Sequence, residues 1–282
     1  MRSPLVFLPI CFLLSCTSDT IGQNRDNVSL RSLIVPNGSV VLDRILPPLG
    51  FRRVNLPPHS FGHFLRMLQL LPNGSKVHYF DGRQKPVDVH VAVLSTDVGS
   101  QDLQQCADAV MRLRAEFLFH TGRKQNIHFN LTNGFRADYT KWREGNRLKV
   151  SGNKTSWIRS HGPDTSYRCF RQYLNMIFSY AGTLSLSREL KPVQFSAIQP
   201  GDVLIQGGSP GHAVMVVDVA VNQKGEKIFL LAQSYIPAQQ IHLLKNPGEP
   251  NFSPWYSAPE EAADVYTPEW AFTTRDLKRF EE

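Results

Sequence analysis

Gln199-Pro200-Gly201-Asp202-Val203-Leu204-Ile205-Gln206, then Gly207-Gly208-Ser209-Pro210-Gly211, then His212-Ala213-Val214-Met215-Val216-Val217-Asp218, is the stretch whose reading decides the fold. An apolar run from Asp202 to Gln206, a glycine-proline loop and a second apolar run opening on His212 read as a buried hairpin. The polar exception is an imidazole at the mouth of the second strand. A histidine held there, beside a loop that leaves room for a ligand, is well placed to act as a base if a nucleophile reaches it.

Downstream, Gln223-Lys224-Gly225-Glu226 makes a turn and Lys227 to Ile236 returns as a strand. A tight turn pairs Asn222 with Lys227 and sets Gln233 opposite Val216, on the face of His212. Asp218 shares that face under the same register. Four residues of strand cover roughly 13 Å, so contact between Gln233 and His212 requires strong coiling of the hairpin. Ile241 to Leu244 adds a further short strand, and the aromatic tail around Trp255, Tyr256, Trp270 and Phe272 packs back on the domain.

Upstream, the clearest helix runs from Ser100 to Phe119. Leu103, Cys106, Ala107, Val110, Leu113 and Phe117 form one apolar stripe, with Ser100 as cap. Cys106 then points inward, about six residues past the cap, where the helix dipole has mostly faded. A short helix capped by Ser60 precedes it, followed by a strand pair over Val77–Phe80 and Val87–Leu94. His78 and His90 lie on the outer pattern of that pair, with no third ligand at metal spacing, so no metal is expected. From His120 to Ser160 we expect an insertion with one short helix and one or two strands. Its aromatic and basic residues, Trp142, Arg143 and Trp157 among them, are candidates for lining a substrate groove. A second helix spans about Asp164 to Tyr180, with Cys169 in its first turns.

The chain's 282 residues are 41% hydrophobic and 20% charged, ordinary for a globular protein. The net charge of +7 is spread over many short pairs of basic residues. With no basic tract alternating with aromatics, nucleic acid is an unsuitable partner, and an anionic envelope or polymer fits the charge better. Met1-Arg2 and the apolar Leu5–Leu14 form an export signal too short to remain as a spanning helix. Leu13-Leu14-Ser15-Cys16 resembles the bacterial lipobox, which implies lipidation at Cys16; a plain signal peptide ending near a cysteine is the other reading. The organisation expected is a signal peptide over 1–16, a flexible tether over 17–45 and one α+β domain over 46–282. Cys106 and Cys169 remain in the mature chain, either as a disulfide or as free thiols.

A cysteine on a helix facing a sheet, a histidine opening a strand and a polar residue on the next strand is the order of a papain-like thiol hydrolase. The imidazole takes the thiol proton and the third group fixes its tautomer. Pro200-Gly201-Asp202-Val203, Gly211-His212-Ala213-Val214, Gln233-Ser234-Tyr235 and Gln105-Cys106-Ala107 resemble blocks of the CHAP and NlpC-type cysteine amidases and peptidases. From about Phe51 to the C-terminus the chain also resembles an uncharacterised family of Bacteroidetes lipoproteins, grouped as a domain of unknown function. The first resemblance implies an α+β fold with a papain-like or NlpC-like antiparallel sheet packed against helices, and an insertion between helix and hairpin. It implies Cys106, His212 and Gln233 as the catalytic set, with Cys169 the alternative nucleophile, and a reaction that needs no cofactor. The expected function is cleavage of amide bonds in peptidoglycan or a related substrate by a lipid-anchored protein of the bacterial envelope, at the outer membrane. The alternative is a non-catalytic lipoprotein binding cell-wall glycan or peptide in the same groove.

Overall fold

The computed structural model describes residues 32–259 and 263–281. The signal segment, Cys16 and most of the expected tether lie outside the described residues. Residues 33–45, which the sequence reading assigned to the tether, belong instead to the folded unit that starts at Leu33. Val41 and Ile45 are fully buried, and Ile34 bridges Ile45. Apolar residues spaced over so short a segment lack a readable period, yet they still bury against the core.

The architecture is mixed α+β, and the strand pairs of its central sheet are antiparallel. Along the main path the order is His90–Val93, His242–Leu244, Lys227–Gln233, His212–Val221, Val203–Gln206, Leu277–Arg279 and Lys191–Pro192. Arg52–Arg53 and Tyr256–Ser257 pair beside this path. The long central strands read as continuous apolar runs because both of their faces are covered. Ala213, Met215, Val217, Leu230 and Ala232 pack in one cluster with Ala107, Val110 and Phe117 of the Cys106–His120 helix. Val214, Val216, Phe229 and Leu231 pack in a second, with Phe195, Tyr256 and Phe272.

The helix begins at Cys106, not near Ser100. Leu103 fits the helical stripe, but Asp102 is engaged elsewhere: its Oδ1 accepts from the Ala238 amide at 2.7 Å and from Gln105 Nε2 at 3.0 Å. The residue that starts the helix is Asp108, whose Oδ2 accepts from the Gln105 amide at 3.0 Å, three residues before it. The expected strand pair over residues 77–94 is regular only at His90–Val93, with an isolated bridge joining His78 to Gln84. The segment after the helix holds more structure than expected. It has two hairpins, His128–Asn130 with Arg136–Asp138 and Asn146–Ser151 with Lys154–Arg159, and a short helix Tyr139–Arg143 between them. The next helix, Tyr167–Tyr180, is capped by Ser166, whose Oγ accepts from the Cys169 amide at 3.2 Å.

The turn at Lys224-Gly225 pairs Val221 with Lys227, one residue away from the expected register. A β-bulge then follows: Leu230 faces Asp218 but Leu231 faces Val216, leaving Val217 as the extra residue. The bulge turns Asp218 away from the His212 face, contrary to the unbulged register. Its carboxylate is fully buried between Arg53 Nε at 2.5 Å and Arg66 Nε at 2.6 Å. Asp202 of the Pro-Gly-Asp block is also buried, bound by Arg279 from the C-terminal strand at 2.6 and 2.9 Å. Gly201 sits at φ +101°, and a Cβ there would lie 2.8 Å from the Phe61 ring, so this turn requires glycine.

A buried ion stripped of its partner is costly. Replacing Asp218 with Ala leaves two largely buried arginines uncompensated and is expected to destabilise the domain by about 3–5 kcal/mol. Urea unfolding of the purified protein measures this; a change below about 1 kcal/mol would mean the bulge is held by packing alone.

Candidate active site

His212 opens its strand and is 1% exposed. Its Nε2 lies 2.8 Å from Gln233 Oε1 on the neighbouring strand. Contact was not expected from the simple register. The bulge and the shifted turn place Ala232 opposite Met215, so Gln233 falls beside Val214, two residues nearer the mouth than predicted. Aromatic rings enclose the imidazole: Tyr235 at 4.8 Å, Trp270 at 5.3 Å and Phe272 at 5.9 Å between centroids. The loop before His212 is held against the Thr183–Glu189 helix, where Thr183 Oγ1 donates to the Gly208 carbonyl at 3.1 Å. A Cβ on Gly211 would meet that Thr183 oxygen at 2.5 Å.

Cys106 opens the helix that packs on the strand of His212. As the first residue of a 15-residue helix it sits where the dipole is strongest, which removes the objection raised by a start at Ser100. The Gln104 carbonyl just before it accepts from Ser234 Oγ at 2.8 Å, so the helix start is pinned to the end of the Gln233 strand. Burial pushes the Cys106 thiol up to about 11. The Ala213 amide, next to His212, pulls the other way, as do the Ala107 and Cys106 amides, while Asp108 adds to the rise. Ala213, whose amide acts on the thiol, directly follows His212 in the strand. Tyr235 packs its ring on His212, and burial pushes its hydroxyl up, with Glu269 and Cys106 adding to the rise.

Burial also pulls His212 down to about 4, against the opposing hydrogen bond from Gln233, with Lys85 adding to the fall. At pH 7 the resting pair is a neutral thiol and a neutral imidazole. The row continues sideways on the same face. Gln233 Nε2 donates to Glu269 Oε2 at 2.7 Å and lies 3.5 Å from His242 Nε2. Lys85 Nζ donates to Glu269 Oε1 at 2.6 Å.

Residues 41–279 match the family described as Domain of unknown function (4846). The chain belongs to that family. No curated protein matches it, and no solved structure matches it. The family description carries no chemistry, so the functional reading of this member rests on the geometry of the site.

The other sequence candidates lie elsewhere. Cys106 and Cys169 are both free thiols, which removes the disulfide reading. Cys169 is fully buried in the first turn of its own helix, and its carbonyl accepts from Trp142 Nε1 at 3.1 Å. Trp142 is therefore a core residue, stacked under Arg147 at 4.0 Å, and not a groove wall. The Arg143 carbonyl accepts from the Asp164 amide at 2.7 Å, and Trp157 packs on Phe135 with ring centroids 6.0 Å apart. No hydrogen bond or ring contact joins these three to His212 among the described residues. Sequence reasoning missed Glu269, Lys85 and His242. No local motif marks them, because Glu269 and His242 reach Gln233, and Lys85 reaches Glu269, only through the fold. Among the described residues no helix is long and apolar enough to cross a membrane.

Two buried neutral imidazoles make stability depend on pH. His242 is fully buried, and burial pulls it down to about 3, opposed by its bond to the Gln240 carbonyl. The stability from keeping both neutral is complete above about 6.5, the ordinary value, and is lost as pH falls toward 4 and 3. Thermal midpoints between pH 8 and 4 should fall below pH 6.5, with a shallower slope in His212→Asn. Equal slopes would place the titration elsewhere.

Proposed function

We propose that the protein is a cysteine hydrolase, an amidase or peptidase, with Cys106 as nucleophile, His212 as base and Gln233 as the group that orients the imidazole. The observation that carries this reading is the 2.8 Å bond between His212 Nε2 and Gln233 Oε1, beside a cysteine that opens a helix. That bond assigns the Nε2 proton and leaves the Nδ1 lone pair to receive a proton from sulfur. The papain-like or NlpC-like ordering of helix, His-bearing strand and orienting strand supports the same conclusion by analogy.

In this mechanism the Cys106 sulfur attacks the carbonyl carbon of an amide as the thiol proton passes to His212. The Cys106 amide and the helix N-terminus offer positive charge to the developing oxyanion. The C–N bond then breaks, and His212 returns the proton to the leaving amine. Water hydrolyses the thioester, again losing its proton through His212. Because thiol and imidazole rest neutral, proton transfer accompanies attack and does not precede it.

The substrate we assign is peptidoglycan or a peptide derived from it, met at the cell envelope by a protein anchored through lipid on Cys16. The export signal, the lipobox-like Leu13-Leu14-Ser15-Cys16 and the net charge of +7 support this setting, with outer-membrane anchoring its final form. A second reading, a non-catalytic lipoprotein that binds glycan or peptide at the same place, is favoured by one observation, the burial that drives the thiol up and the imidazole down.

Incubating the mature protein with peptidoglycan fragments discriminates the two. Release of peptide by wild type and Cys169→Ala, with a loss of at least roughly 10³-fold in Cys106→Ala and His212→Ala, is the expected outcome. Binding without release by any form would favour the second reading. The neutral resting pair is checked separately by iodoacetamide labelling of Cys106 in the Cys169→Ala background. Labelling should be slow at pH 7 and rise steadily toward pH 11; a plateau reached below pH 7 would indicate a preformed thiolate.

A further inference from the structure

Gln233 poses a problem that a carboxylate in its position would not. Its amide has an acceptor end and a donor end of nearly the same shape, and either fits beside an imidazole. With Oε1 toward His212, the imidazole must carry its proton on Nε2, and Nδ1 is free to act as base. With the amide reversed, Nε2 of Gln233 would donate to His212 Nε2, the proton would move to Nδ1, and the base would be blocked. Something must break this symmetry.

The structure supplies it in Glu269. A carboxylate accepts hydrogen bonds and donates none, so the 2.7 Å contact to Gln233 requires the NH2 end of the amide. The second amide hydrogen is directed toward His242 Nε2 at 3.5 Å. His242 Nδ1 lies 2.9 Å from the Gln240 carbonyl and must donate to it, which leaves its Nε2 as an acceptor. Both neighbours on that side therefore demand hydrogen from Gln233, and only Oε1 remains for His212. Glu269 is itself fixed by Lys85, whose Nζ lies 2.6 Å from Oε1 while its side chain is 4% exposed. Lys85 also stands over the Tyr235 ring at 5.4 Å.

We propose that Glu269, clamped by Lys85, is a positioning residue that sets the amide orientation of Gln233 and through it the tautomer of His212. This deepens the hydrolase reading and rests on it for its catalytic meaning, but its central claim concerns a proton position that can be observed without turnover. Glu269 touches neither the substrate carbonyl nor the sulfur. It acts through Gln233.

A charge swap separates this role from plain structural support. In the double variant Lys85→Glu, Glu269→Lys the ion pair is retained, but the group facing Gln233 becomes a donor. The amide should reverse and His212 should carry its proton on Nδ1. Nitrogen-15 NMR of histidine-labelled protein reads this directly: wild type is expected in the Nε2–H form, the swap in the Nδ1–H form, and Glu269→Ala in a mixture. If peptide release is established for the wild type, the swap should lose on the order of 10³–10⁴-fold in kcat with little change in KM, as expected for a base in the wrong tautomer. Circular dichroism and thermal midpoints verify that each variant folds; should the swap fail to fold, the Glu269→Ala mixture is the deciding measurement.

An unchanged Nε2–H tautomer in every folded variant overturns the proposal. A tautomer change with no peptide release from any form, wild type included, keeps the positioning role and overturns the hydrolase reading instead. Release by the wild type, with an Nε2–H tautomer preserved in the swap, overturns the clamp and leaves the hydrolase standing.

Discussion

One extra residue in the His212–Val221 strand sets the geometry on which the candidate site depends. Without the bulge at Val217, the ladder starting at Val221 and Lys227 would set Gln233 opposite Met215, one residue further from His212 and on the other face of the sheet. A bulge is stable only if something accommodates the residue it displaces. Here Asp218 turns to the helix-covered face, and Arg53 and Arg66 neutralise it from the N-terminal part of the domain. Arg53 also donates to the Ile45 carbonyl, tying in the short helical segment that precedes it. The alignment of the His212–Gln233 pair thus rests on buried ion pairs well along the strand from it.

Burial decides how the site could work. The aromatic enclosure of Tyr235, Trp270 and Phe272 leaves His212 almost without solvent, and the same exclusion raises the thiol. The Ala213, Ala107 and Cys106 amides lower the thiol, but desolvation outweighs them. A thiol held this way keeps its proton in the resting state. In the proposed mechanism this makes proton position the controlling variable, because His212 is its single base.

The central strands were legible because they are buried on both faces, and the run from Val203 through Val219 admits few alternatives. Order and motif picked out Cys106, His212 and Gln233 together, and of these the structure bonds His212 to Gln233. Their spacing was not legible. A bulge leaves no residue-level mark in Val216-Val217-Asp218, since each residue is acceptable in a regular strand. The helix start was misplaced for a similar reason: Leu103 satisfies helical periodicity, whereas the competing bond from the Ala238 amide to Asp102 comes from a segment far along the chain. Trp142 and Trp157 looked like a binding surface because aromatic and basic residues cluster there, but Trp142 instead fills the space between the insertion and the helix bearing Cys169.

The site is assembled from segments that span nearly the whole family match, residues 41–279. Arg53 and Arg66 hold the bulge from near one end of that span; Arg279 holds Asp202, and with it the start of the hairpin, from the other. Between them Cys106 arrives on a helix, His212 and Gln233 on paired strands, and Glu269 on the returning tail. None of these can be brought into place by local propensity, because each contact closes a loop of tens of residues and must be supported by the packing of both sheet faces. A buried lysine, a carboxylate, an amide and two neutral imidazoles stand here in one row. Each such group costs desolvation free energy unless all are satisfied together. The row of Lys85, Glu269, Gln233, His242 and His212 meets that condition, and its outcome is a single defined acceptor nitrogen, Nδ1 of His212, at the strand mouth where Cys106 begins its helix.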